Sequence, residues 1–281
     1  MKTLKKQILL TFSLPIDFFD QTEGFVYLPY SFLYLLLTDY QRSSIRDAVN
    51  QLAESGEVDK IISDQRQQRP PHRRAGQQQR QQSFFRLTGL GRQRLLGFFP
   101  ISLGQRRVWD RRWRLVVINS QRPPSQNQWR QTRKKMKKLG FRRLTKAVYL
   151  TPLAVSQILQ DFFMEKNLLG RLFFIESRRF LAGDDQKLAK NVWKWEETSQ
   201  NYQNLIRESQ GLLKKLKNEK KLGNEAKKEL PRLLKNYYFL LSSDPGLPKK
   251  VLPADWPGDL ARESFLAIFH YLINEKLVDV F

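Results

Sequence analysis

The chain has 281 residues, 50 of them Lys or Arg against 27 Asp or Glu, giving a formal net charge of +23. A hydrophobic content of 41%, with 19 Phe and 6 Trp, excludes a wholly disordered polyelectrolyte. The lack of Cys excludes disulfides and thiolate chemistry, and only two His argue against a His-based metal site or triad. The charge is concentrated. Residues 65–146 hold 23 Lys or Arg and one acid, Asp110, while the other 199 residues nearly cancel. Clustered cations without interspersed acids suit an extended polyanion, because neutralising phosphates releases counterions. Double-stranded DNA is the expected partner.

The basic start and the apolar run to Ile16 read as a helix, not a signal peptide: the run is short and ends in Asp17 and Asp20. No stretch reaches the roughly 20 apolar residues that span a bilayer, so a cytoplasmic protein without membrane contact is expected. Helices are predicted over Leu4–Phe12, Tyr30–Leu37 and Ile45–Glu54, the last capped by Ser43 or Ser44 and ended by Gly56. Ile45, Ala48, Val49 and Leu52 form its inner stripe, while Arg42, Ser43, Arg46, Asp47, Asn50 and Gln51 face outward. Strands follow at Glu57–Ile62 and Ser83–Leu87. Between them, residues 65–82 hold eight Gln, five Arg and two Pro, a composition that cannot bury itself. Three helices and a hairpin make a winged helix-turn-helix over residues 1–100, with a mobile wing tip at 65–82. Arg42, Ser43, Ser44, Arg46, Asn50 and Gln51 are then expected in a major groove, with Arg66, Arg69, Arg73, Arg74 and Arg80 along the phosphates.

Residues 106–180 predict a second domain. Trp109–Asn119 reads as a buried strand, Asn127–Leu139 as a helix with six cations, Phe141–Thr151 as extended chain supplying two strands, Pro152–Asn167 as a helix and Leu172–Ile175 as the last strand. The order βαββαβ makes a ferredoxin-like sandwich. Arg130, Arg133, Lys134 and Lys137 of its basic helix are candidates for auxiliary nucleic-acid contacts, since no acid four residues on pairs with them. Residues 184–281 predict a helical domain. Leu188, Val192, Trp195, Tyr202, Ile206, Leu213 and Leu216 follow a 3-4 alternation that serves either a dimer seam or packing within the chain, with Gly211 interrupting the run. Pro231 implies a kink or restart within Glu225–Leu241, the Pro-rich stretch 244–258 a rigid loop anchored by Trp256, and Arg262–Leu277 a closing helix.

Two resemblances meet in these residues. Trp113-Arg114-Leu115-Val116-Val117-Ile118-Asn119, the basic helix, and Leu139-Gly140-Phe141-Arg142-Arg143-Leu144 through Val148-Tyr149-Leu150 resemble the small CRISPR-associated endonuclease of spacer acquisition. That family ends its first strand in a metal-binding Asp; here Asn119 stands there, and an amide lacks the charge that a hard cation needs. The whole chain resembles the PaaX family of bacterial transcriptional repressors. Ile45-Arg46-Asp47-Ala48-Val49-Asn50-Gln51-Leu52 with Gly56 is similar to its recognition helix, and Phe85-Arg86-Leu87-Thr88 with Gly91-Arg92 to the end of its wing. Trp109-Asp110-Arg111-Arg112-Trp113-Arg114-Leu115 resembles the start of its middle domain. Asp244-Pro245-Gly246-Leu247-Pro248 and Leu252-Pro253-Ala254-Asp255-Trp256-Pro257-Gly258 resemble its C-terminal signature. The resemblance implies an α+β protein of three parts and a homodimeric, sequence-specific repressor that is not an enzyme and holds no metal. It also implies an acyl-CoA-type effector, since some members release DNA on binding phenylacetyl-CoA. The competing readings are a metal-dependent nuclease and a non-specific nucleic-acid-binding component related to spacer acquisition.

Overall fold

The computed structural model describes residues 2–14, 27–63, 82–99, 108–178, 183–219, 221–244 and 246–278. Among these residues, helices and two small antiparallel sheets make an α+β molecule. Grouped by contact, the chain forms two units: residues 1–104 with 201–243 and 257–281, and residues 105–200 with 244–256.

The first unit begins with α1 (Lys2–Ser13), which buries Ile8, Leu9, Leu10 and Phe12. A two-residue strand β1 (Leu28–Pro29) leads into α2 (Tyr30–Leu36) and then α3 (Arg42–Glu54). The spacing of Ile45, Ala48, Val49 and Leu52 does what a 3.6-residue period requires, and all four are buried. The start of α3 differs from expectation. Its N-cap is Gln41, with no side-chain cap bond, so Ser43 and Ser44 stand exposed in the first turn rather than capping it. Gly56 follows at φ +73°, the left-handed turn that lets the chain reverse into β2 (Val58–Ser63). β2 pairs with β3 (Gln82–Leu87) from Val58↔Leu87 to Ser63↔Gln82, and β1 adds to the far side of β3. Thr88 caps α4 (Gly89–Phe98), its Oγ1 accepting from the Gly91 amide at 3.1 Å and donating to the Gly56 carbonyl at 2.7 Å.

The second unit has β4 (Trp113–Ile118), α5 (Gln126–Lys138), β5 (Arg142–Arg143), β6 (Val148–Thr151), α6 (Ser156–Glu165), β7 (Leu172–Ser177) and α7 (Asp185–Trp193). The sheet order β5-β6-β4-β7, antiparallel throughout, is the ferredoxin-like arrangement. Alternate residues of β4 serve opposite faces. Val116 joins Met136, Leu159 and Phe163 beneath α5 and α6, whereas Trp113 joins Leu150, Ala189, Leu247, Val251 and Leu252 on the other side. The Pro-rich stretch lies on this second face. The Trp113 indole donates to Asp185 at 2.7 Å, Gln186 Nε2 to the Leu252 carbonyl at 3.1 Å, and Trp195 meets Trp256 edge-on at 6.1 Å. Two boundaries are shorter than expected. β4 starts at Trp113 because Arg111 takes φ +60°, and α6 starts at Ser156 because 152–155 form a turn in which Thr151 Oγ1 accepts from the Leu153 amide.

The helical run from Asp184 breaks at Lys194, which adopts φ +45°, and not at Gly211, which sits inside α8 (Glu196–Glu219). α9 (Asn224–Ser243) continues through Pro231 as one helix, and α10 (Gly258–Asn274) follows. Tyr202, Leu205, Ser209, Leu212 and Leu216 are the buried stripe of α8. Tyr271 of α10 donates to the Leu216 carbonyl, and Lys215 pairs with Glu229 of α9 at 2.8 Å. Packing within the chain, the second of the two readings, uses this stripe, with Leu205 and Leu212 buried in place of the expected Ile206 and Leu213. In this first unit Phe32 meets Phe269 at 6.0 Å, Phe99 meets Tyr238 at 5.3 Å and Asp39 pairs with Lys235 at 2.9 Å. Among the described residues, no helix is long and apolar enough to cross a membrane.

Candidate nucleic-acid interface

The outer face of α3 exposes Arg42, Ser43, Ser44, Arg46, Asp47 and Asn50, with Gln51 half-buried. The burial of the opposite stripe fixes this orientation, so the polar side chains have no choice of side. Arg42, Arg46 and Asn50 recur every fourth residue and form one row. That row is braced from α2. Arg46 Nε donates to Tyr34 Oη at 2.8 Å, and the Arg42 guanidinium lies 5.2 Å from the Tyr34 ring centroid. Tyr30 Oη donates to Asn50 Oδ1 at 3.3 Å, and the two tyrosine rings stack at 5.9 Å with an 11° interplanar angle. Tyr30 is in turn held edge-on against the fully buried Phe85 at 4.6 Å. The Tyr34 hydroxyl raises the Arg46 pKa above its ordinary value, and burial raises that of the Tyr30 phenol.

Sequence reasoning missed both tyrosines. The signal was present: two aromatic hydroxyls four residues apart on a helix that otherwise buries Phe32, Leu33 and Leu36. Ser44 and Gln51 lie further round the helix, beyond Asp47, and do not join the braced row. Arg66, Arg69, Arg73, Arg74 and Arg80 lie outside the described residues. At the hairpin base, Arg86 pairs with Asp59 at 3.0 Å and lies over the Tyr27 ring, so it holds the two strands together.

In the second unit, Ser125 and Gln128 form a capping box at the start of α5, and Trp129, Thr132 and Met136 face inward. This leaves Arg130, Arg133, Lys134 and Lys137 exposed on one helix. Lys135 instead turns to the Phe162 ring at 5.8 Å. Lys135, Lys137 and Lys138 also stand at the helix C-terminus, where the helix dipole favours cations.

At the end of β4, Asn119 Nδ2 donates to the Gly170 carbonyl at 2.8 Å and its Oδ1 accepts from the Gln121 amide at 3.0 Å. One hydrogen bond at each end of the amide thus joins two loops. Asp110, the one acid of the basic region, bonds Arg114 of β4 and the Arg112 amide.

Two families of known domains match the chain. Residues 106–189 match the family described as PaaX protein central Cas2-like domain, and residues 193–276 match PaaX-like protein C-terminal domain. Together these spans cover more than half of the sequence. The chain belongs to the PaaX family. No curated protein matches it. A solved structure, of an uncharacterized protein from Mycobacterium tuberculosis, is similar at 17% identity, covering 96% of this chain and 97% of that chain with a TM-score of 0.48.

The PaaX-like signatures acquire physical reasons in this geometry. The Trp109–Leu115 segment holds Arg114, which is 3% exposed and ion-paired to both Asp110 and Glu176. The stretch Asp244–Trp256 turns on an Asp244 carboxylate that accepts from the Gly246 amide at 2.7 Å, then covers Trp113 with Leu247, Val251 and Leu252. At the start of α4, Gly91 is required because a Cβ there would lie 2.1 Å from the Glu57 carbonyl oxygen.

Proposed function

We propose that this PaaX-family protein is a sequence-specific DNA-binding transcriptional repressor whose residues 1–100 act as a winged helix-turn-helix. The observation that carries this reading is the braced row Arg42–Arg46–Asn50 on the exposed face of a helix whose opposite face is fully buried. The order α1-β1-α2-α3-β2-β3, with β3 between β1 and β2, supports it. α3 enters the major groove, and α2 crosses the backbone behind it. The first-turn amides of α3, left without a side-chain cap by Gln41, donate to a phosphate together with the hydroxyls of Ser43 and Ser44. Arg46 and Asn50 reach base edges. The arginines of segment 65–82 follow the phosphate backbone and supply affinity without sequence preference. The exposed cations of α5 add a second, non-specific contact.

Cleavage is no part of this proposal, since the Asn119 amide lacks a carboxylate's charge and is committed to Gly170 and Gln121. The protein acts as a homodimer on two half-sites, as paired recognition helices require. Light scattering of the protein with its operator should give the mass of two chains per duplex; one chain per duplex overturns the dimer.

The deciding experiment for DNA recognition recovers and sequences the genomic fragments bound at near-physiological salt, with Arg46→Ala in parallel. A recurring site that disappears in the variant supports a specific regulator. Even coverage of the genome by both proteins would overturn the reading in favour of non-specific binding.

A further inference from the structure

The two tyrosines of α2 do more than steady the α3 row. They also decide which atoms it can offer. An unconstrained Arg approaches a base edge through either of two faces of its guanidinium. Here one face is taken, because Nε donates to Tyr34 Oη at 2.8 Å, and the two terminal nitrogens remain as a forward fork. An unconstrained Asn reads adenine by accepting from N6 and donating to N7, with both amide ends toward the base. Here Oδ1 is turned back to the Tyr30 hydroxyl at 3.3 Å, which directs Nδ2 outward as a donor. Both groups are therefore presented as donors.

We infer that α3 selects guanine, with Arg46 clasping the O6/N7 edge, Asn50 donating to a neighbouring acceptor, and Tyr34 and Tyr30 acting as positioning residues that enforce this polarity. Guanine is the one base that presents two adjacent acceptors in the major groove, so a fork of two donors is satisfied there and nowhere else. Adenine would leave one arm of the fork facing the N6 amino group. Asn50 stands four residues from Arg46, about 6 Å along the helix axis. The acceptor it meets is thus at most about two base pairs from the guanine, and thymine O4 or a second guanine serves it. Arg42, drawn to the ring face of Tyr34, stays on the α2 side of the row and takes a phosphate.

This inference rests on the proposed major-groove role of α3, and the experiment separates the two. Selection from a randomised duplex library is run with the intact protein, Tyr34→Phe, Tyr30→Phe and Arg46→Gln. Each is followed by dissociation constants on the consensus duplex and on single-base changes, at several salt concentrations. The intact protein should prefer guanine at one position by roughly tenfold or more. Tyr34→Phe, which keeps the ring and removes the hydroxyl, should lower that preference about fivefold while leaving the salt slope and the melting temperature unchanged. Tyr30→Phe should raise tolerance for adenine at the neighbouring position. Arg46 is exposed, so Arg46→Gln folds, and it should switch the guanine position to adenine. Specific binding without any guanine preference, or one that survives both Tyr34→Phe and Arg46→Gln, overturns the inference and leaves the DNA-binding reading standing. An intact protein that selects no sequence overturns both.

Discussion

Under the proposed function, single side chains on α3 and in segment 65–82 divide into those expected to set specificity and those expected to set affinity. Arg46 stands in the braced row, so Arg46→Ala should cost about 1–3 kcal/mol on the preferred duplex and much less on random DNA. Arg73→Ala should weaken binding to all sequences alike and lower the slope of log K against log salt by about 1, as expected when one phosphate contact is lost. Titrations of both variants on specific and random duplexes across salt concentrations distinguish the two classes. Gly91 belongs to neither class. It gives the Glu57 carbonyl room, and Glu57 is buried and ion-paired to Arg94. Gly91→Ala should cost about 3 kcal/mol through overpacking against backbone, visible as a lower urea midpoint. That Arg42, Arg46 and Asn50 face outward could be read from the sequence, because burial of Ile45, Ala48, Val49 and Leu52 dictates the outer face. What Asn50 and Arg46 touch could not, since it depends on how α2 crosses α3.

At the level of elements, β4, β7 and α6 are tied by one charged cluster. Arg114 of β4 bonds Asp110, Glu176 of β7 and Ser156 of α6, and Arg112 bonds Glu176 at 3.0 Å. The Arg114 hydrogen bond holds the Asp110 carboxyl below its ordinary pKa, and the Ser156 hydroxyl does the same for Glu176. Folded, these carboxyls bind protons less readily than in the unfolded chain. Their contribution is therefore complete above the usual carboxylate range and is lost as pH falls through it and below. Urea midpoints should decline from about pH 5 downward, and Arg114→Gln should flatten that decline. The same variant should cost roughly 2–3 kcal/mol at neutral pH, at the low end for a broken buried pair because both carboxylates keep some water. Local pattern made most of these elements legible. The six-cation helix with Trp129 and Met136 inside, and the apolar β4, sit within a few residues of where periodicity put them. The misses have local causes. A lysine carries no signal that it will take the left-handed turn at 194, and a two-residue strand such as β1 is too short for any alternation to register.

For the molecule as a whole, the first unit joins the two ends of the sequence. α10 buries Phe265, Ile268, Phe269 and Leu272, and Phe269 reaches Phe32 of α2 directly. Phe269→Ala should cost about 3–5 kcal/mol, a large share of the roughly 5–15 kcal/mol by which domains are stable. It should lower DNA affinity and the melting temperature together, although no DNA contact is changed; a variant with normal affinity at a lowered melting temperature would show that α2 and α3 hold without it. No sequence pattern announces this closure, because each helix displays an apolar stripe without saying which partner will cover it. Closure between distant parts of the chain has a consequence in time. Some 170 residues separate Phe99 from Phe269, so at the usual 5–20 residues per second a ribosome needs roughly 10–35 s to make the second after the first. Throughout that interval α2 and α3 exist without the helix that packs on Phe32. On the proposed reading, a newborn chain should gain its grip on DNA only after α10 has been made, and one truncated before Phe269 should not gain it.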